Sequence, residues 1–394
     1  MLSAKKANER TKLFAADMWA VFNYGDPNER YQRFLKRGHP AFKLLIDGVL
    51  LYDEIVIPTQ DFMSLTILVG VLGERTVLDL LEAGCLRFLR LKGALSYIGN
   101  GGGIKAYDIS SDEDQPLAFC APIDTAVAWS LDGLSEKPKD PQLPRMVLQA
   151  TEEVGIGSIV EEIRNETYMD VIDSPYLRNL FALRNRDMDR LTGIKPNEVR
   201  IYGGPDADWK GDEIDIVMSL ATANIELRLA QFAGCADSST ASPVGHLIKA
   251  KAERTLGGPQ ATKAFAILRE IAEIPDIGEG VLEKQITVSH LLKLKKSQNG
   301  QQFREWFHEN CRKDPVATGR EYSALLREIP KIQSLPIRVL RFIVTTAIGA
   351  IPGIGTALGP AAGAVDSFFI ENWLKGSSPK FFIEDLRQLK GRPW

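Results

Sequence analysis

The sequence predicts an α+β protein, predominantly α-helical: a small N-terminal α/β unit followed by a helical region ending in a Gly-rich apolar helical hairpin. Three observations predict it. Short β-branched and alternating runs gather in residues 1–131. Beyond a proline-rich stretch, apolar residues recur almost everywhere at helical spacing. Near the C-terminus, 24 consecutive residues, Phe342 to Val365, carry no charged side chain, although 25% of the chain is charged.

The elements follow in order. Leu13, Phe14, Met18, Val21 and Phe22 recur at helical spacing and predict an amphipathic helix near the N-terminus. Asp17 interrupts the apolar stretch and no small-residue cleavage site follows, so a signal peptide is not expected. "LLYDEIVIP" reads as a strand ending at Pro58, and Phe62 to Leu81 as helix, weakened at Gly70 and Gly73 and capped by Gly84. "CLRFLRL" reads as a second strand and "IKAYDI" as a third, joined through "GNGGG". The hairpin-like succession of the last two favours α+β over a doubly wound sheet.

Asp132 to Arg145 packs three prolines and six charges and is the expected linker. The predicted division is a mixed unit at 1–131, the linker at 132–145, a helical domain at 146–290 and a basic helical region at 291–394. Helices are expected at Met146–Glu153, Ile156–Met169, Glu213–Phe232, Pro259–Ala272 and Gly300–Cys311. Others are expected at Gly319–Glu328, Pro336–Ala350, Thr356–Trp373 and Pro379–Leu389. "EVRIYGG" is the one strand expected among them.

The charge-free run lies in the hairpin, residues 335–374. Ser334 and Pro336 suit a helix start, and Pro352 with Gly353 and Gly355 breaks that helix. Gly355, Gly359 and Gly363 then share one face of a second helix, where another backbone could approach closely. Phe368, Phe369 and Trp373 form its bulky end. Only eight of the 24 residues are Leu, Ile, Val or Phe, so the run reaches spanning length but is weak in hydropathy. A buried, close-packed hairpin is the first expectation and a membrane element the second.

Charge supports the second. From Lys284 to Arg341 there are 12 Lys/Arg and 5 Asp/Glu, whereas Ala106 to Pro175 holds 15 Asp/Glu and 4 Lys/Arg. Arg327, Lys331, Arg338 and Arg341 directly precede the apolar run and are the expected anion-binding residues. The net charge of −3 disfavours nucleic acid as a partner. Four scattered cysteines without a CxxC predict no zinc site, no disulfide framework and a cytoplasmic location, with membrane association through the hairpin as the variant.

Catalytic signals are weak. Asp53 and Glu54 in the first strand, with Asp61 after it, could hold Mg²⁺, but Asp61 also suits a helix cap. Arg304 and His308, one helical turn apart, could act on RNA, but Phe303, Trp306 and Phe307 around them fit an ordinary amphipathic helix. "GNGGG" precedes a strand and reads as a turn rather than a phosphate loop. Ser238, Ser239, Thr240 and Ser242 read as a loop. No cofactor or metal is expected. The expected function is non-enzymatic: an interaction or effector protein with an unidentified protein partner or an anionic membrane, its hairpin pore-forming or membrane-disrupting. The alternatives are a metal-dependent or HEPN-like nuclease and a purely structural partner-binding protein.

Overall fold

The run Leu13, Phe14, Ala15 is buried on both sides, at 0%, 0% and 2% exposure, which suits a central strand rather than one face of a helix. In the computed structural model β1 (Lys12–Ala15) occupies that run, and α1 (Ala16–Phe22) begins directly after it. The structure describes residues 10–22, 39–98, 103–107, 120–134, 140–173, 213–235, 237–239 and 274–311, with 382, 383, 385, 386 and 389. The helix expected from Leu13 is therefore corrected to a strand followed by a helix. A short apolar run fits either period, and burial on both faces decides for the strand.

Further elements follow: α2 (His39–Leu51), β2 (Glu54–Thr59), α3 (Met63–Leu72), α4 (Glu74–Glu82) and β3 (Leu86–Lys92). Next come β4 (Ala94–Ile98), β5 (Gly103–Tyr107), α5 (Ile123–Asp132), α6 (Gln142–Gln149) and β6 (Thr151–Gly155). A 3₁₀ turn at Ile156–Ser158 leads to α7 (Val160–Asp173); α8 (Glu213–Phe232) and β7 (Asp237–Ser239) complete the set. The break between α3 and α4 falls at Gly73, whose φ of 84° suits glycine.

Five strands form one parallel sheet in the order β6-β3-β2-β1-β7. β4 and β5 make a separate antiparallel pair on either side of residues 99–102. The fold is thus a mixture of helices with a parallel sheet. The hairpin lies outside the main sheet, which is wholly parallel. The sheet also takes β6 and β7 from beyond the proline-rich stretch.

Alternation in β3 divides the core. Leu89 and Leu91 join Phe14, Val56, Val154 and the α8 residues Ala221, Ile225 and Leu229 on one face. Phe88 and Arg90 point to the other face, where Phe88 packs on Phe62 with ring centroids 5.8 Å apart. The middle of α8 is buried nearly all round, from Leu220 to Ala230. Its Asn224 donates to Thr167 Oγ1 and Asp170, and Arg228 pairs with Glu162 and Glu166, tying α8 to α7.

The chain divides into two compact units. One contains residues 1–45 and 52–257; the other contains 46–51 and 258–394. In the second, α9 (Ile277–Leu282), α10 (Val288–Lys296) and α11 (Gln298–Cys311) follow closely. Phe303, Trp306 and Phe307 are buried, and Phe303 stacks on Phe382 at 4.8 Å. The hairpin at 335–374, the strand expected at 198–204 and the helices expected at 259–272 and 319–328 lie outside the described residues. Among the described residues, no helix is long and apolar enough to cross a membrane.

Candidate functional site

In an open parallel sheet, ligands enter at the carboxyl ends of the strands, where the chain reverses its direction of travel across the sheet. Here β1, β2, β3 and β6 step outward one way, and β7 returns to the opposite side of β1. The switch point lies between β1 and β7, where Ala15 is paired with Ser239.

The rest of the carboxyl edge is closed by the protein's own groups. Arg90 is fully buried and acts as its centre. Its Nε donates to the Gln60 carbonyl at 3.1 Å, one terminal nitrogen to Glu153 Oε2 at 2.7 Å and the other to the Ala121 carbonyl at 2.7 Å. Its guanidinium also lies 5.9 Å from the Phe62 ring centroid. Burial lowers the Arg90 pKa, and Glu153 opposes the shift. Gln60 Nε2 donates to the Gly93 carbonyl. Thr59 Oγ1 accepts from Phe62 N, and Asp61 Oδ1 accepts from Met63 N at 3.1 Å. Asp61 thus accepts from the first N–H of α3 from the position before its N-cap, Phe62.

At the switch point, β1 passes into α1 without a glycine-rich turn, and α1 has seven residues. Among the described residues, no phosphate cradle of the usual loop-and-helix kind is built there. Among the described residues, polar groups at this edge include Asp17, in the first turn of α1 and 4% exposed, and Ser239, the last residue of β7 and 8% exposed. A carboxylate and a hydroxyl at one end of the β1/β7 pair suit a ligand that donates hydrogen bonds, such as a nucleoside or another hydroxyl- or amino-bearing molecule. By sequence Asp17 is an interruption of an apolar stretch and Ser239 part of a loop; their common edge depends on the β1/β7 pairing, which leaves no local signal.

The residues singled out from the sequence lie elsewhere. Asp53 and Glu54 stand at the amino end of β2, the opposite edge of the sheet. Asp53 Oδ2 accepts from Thr11 N at 3.0 Å and Thr11 Oγ1 at 3.1 Å. Glu54 is 3.5 Å from Arg87, which also pairs with Glu152. Near them Tyr52 donates to Asp237 Oδ2 at 2.5 Å and Lys12 Nζ to the Ala233 carbonyl at 2.9 Å. These bonds bind the strand starts together.

Arg304 and His308 belong to the second unit. Arg304 donates to the Lys295 carbonyl at 2.7 Å and the Gly300 carbonyl at 3.3 Å, so it caps the end of α10. His308 Nε2 lies 2.7 Å from the Leu51 carbonyl. Gly355, Gly359, Gly363, Phe368, Phe369, Trp373, Arg327, Lys331, Arg338 and Arg341 lie outside the described residues. Among the described residues, no group of three His, Cys, Asp or Glu could hold a metal ion. Cys85, Cys120 and Cys235 are buried free thiols. Burial pushes the Cys235 thiol up to about 12, so it does not supply a thiolate nucleophile near neutral pH.

Comparison with protein-family models, with curated proteins and with solved structures finds no match for this chain.

Proposed function

We propose that the chain is a non-enzymatic effector: its α/β unit takes a small hydrogen-bond-donating ligand at the β1/β7 switch point, and its basic C-terminal region acts on an anionic membrane. The reversal of strand order between β1 and β7 carries the ligand half. Asp17 and Ser239 are its contact residues. The charge-free run from Phe342 to Val365, preceded by Arg327, Lys331, Arg338 and Arg341, supports the membrane half. The self-contained hydrogen bonding of Asp53, Arg304 and His308 counts against a nuclease built on them.

Two measurements on the full chain test it. Adenosine, ribose and spermidine, each at saturating concentration, are screened by thermal unfolding. A ligand present at about 100 times its Kd raises stability by roughly 2.7 kcal/mol, and Asp17→Asn should abolish the shift. The same chain should release dye from phosphatidylglycerol vesicles, and Gly359→Glu should stop the release while leaving the unfolding midpoint in place. A shift that survives both Asp17→Asn and Ser239→Val removes the switch-point site. Vesicles that stay sealed remove the membrane half.

A further inference from the structure

The first helix of the basic region has two distinct sides. In α10, Val288, Leu291, Leu292 and Lys295 are buried, whereas Ser289, Lys293 and Lys296 are exposed. The exposed three are spaced four and three residues apart, so they form one outward stripe. The helix is set by Thr287, whose hydroxyl accepts from His290 N. Its C-terminal end is closed by Ser297, whose N–H bonds the Lys293 and Leu294 carbonyls, and by Arg304.

Among the described residues, Lys293 and Lys296 have no carboxylate partner. Arginines of the α/β unit differ: Arg75, Arg87, Arg90, Arg164 and Arg228 are each ion-paired. Glu283 before α10 and Glu305 on α11 are exposed acids in the same stretch, yet Glu283 to Cys311 still holds five Lys/Arg against three Glu. Arg312 and Lys313 then continue the excess. Lysines in a last helical turn also complement the helix dipole, which accounts for their position but not for the excess carried past the helix.

We propose that the Ser289/Lys293/Lys296 face of α10 docks the chain on an anionic lipid surface. It rests on the membrane half of the proposed function and names where contact is made. Lysine is suited to this task, since a compact, mobile ammonium meets lipid headgroups without a fixed geometry. Lipid is favoured over nucleic acid because that charge-free run follows the basic region directly.

The test is flotation of the full chain with vesicles containing phosphatidylglycerol, against vesicles of phosphatidylcholine alone. Wild type should float only with the anionic vesicles. Lys293→Gln with Lys296→Gln should weaken binding by about 30-fold, from about 1 kcal/mol for each lysine near the surface. Lys293→Arg with Lys296→Arg should bind as wild type. Both side chains are exposed, so unfolding midpoints should agree and folding is controlled. Failure of wild type to float, or equal binding by the glutamine variant, overturns the docking face. Binding to a 30-mer RNA duplex without vesicle binding, lost in the glutamine variant, also overturns it and makes the face a nucleic-acid contact. Dye release by a chain whose binding ignores both lysines overturns this face alone. Binding that needs both lysines but never releases dye overturns the membrane-disrupting activity alone.

Discussion

Arg90 concentrates several constraints in one side chain. A buried guanidinium is costly unless its donors are used, and here they reach two carbonyls and one carboxylate on three separate chain segments. Arg90→Met removes the charge but leaves the Gln60 and Ala121 carbonyls without this donor. We expect a loss of about 3 kcal/mol in urea unfolding, the scale for breaking a buried charged pair. Arg90→Lys should recover little, because one ammonium cannot reproduce the planar fork. A lysine variant as stable as wild type would show that charge rather than geometry matters. The sequence marks Arg90 only as a polar position in "CLRFLRL", which by alternation alone would be assigned to solvent. Helices on both faces of a parallel sheet bury it instead. Asp61 is more legible: its bond to the Met63 N–H two residues on is local chemistry, although the N-cap position itself falls on Phe62.

At the scale of elements, legibility follows how local the deciding interaction is. α8 runs from Glu213 to Phe232, as its spacing predicts, and Gly73 divides α3 from α4 where the weakening falls. The helix expected at Met146–Glu153 is corrected to the end of α6 followed by β6, and the loop expected at Ser238 and Ser239 to β7. "TEEVG" carries three polar residues and "DSS" is three residues long, and each is a strand because of the neighbour it joins. Phe88 pairs with Thr151 across more than sixty positions of sequence, which no window can register. The α10–α11 junction depends on a close approach instead. A Cβ added to Gly300 would lie 2.2 Å from the Leu294 carbonyl oxygen and 2.9 Å from that of Lys295. Both obstacles are backbone, so the helices would have to separate. Gly300→Ala should therefore cost about 2 kcal/mol or more, in the range of overpacked cores, despite alanine's better helix propensity. Thermal unfolding decides it: a neutral or stabilising substitution would mean that the junction yields easily.

For the whole molecule, the main sheet crosses the segment that composition marks as a linker. Three prolines and six charges between Asp132 and Arg145 suggest a boundary. Yet α5 and α6 reach into that stretch, with Leu131 and Leu143 buried, and β6 follows at once to pair with β3 along five residues. Cutting there would strip β3 of its outer neighbour and Arg90 of Glu153, and would remove α8 and β7 as well. The buried side chains Phe14, Val56 and Leu89 would lose the α8 residues of their shared core. A fragment of residues 1–145 should accordingly show no cooperative thermal transition by circular dichroism and should bind a hydrophobic dye. The intact chain should unfold cooperatively. The outcome is informative in either direction, because a fragment that melts sharply would mean that β1, β2, β3 and their covering helices suffice. The expected failure has a definite cause: in a parallel sheet each edge is completed by distant chain, so stability is held jointly by strands that sequence places far apart.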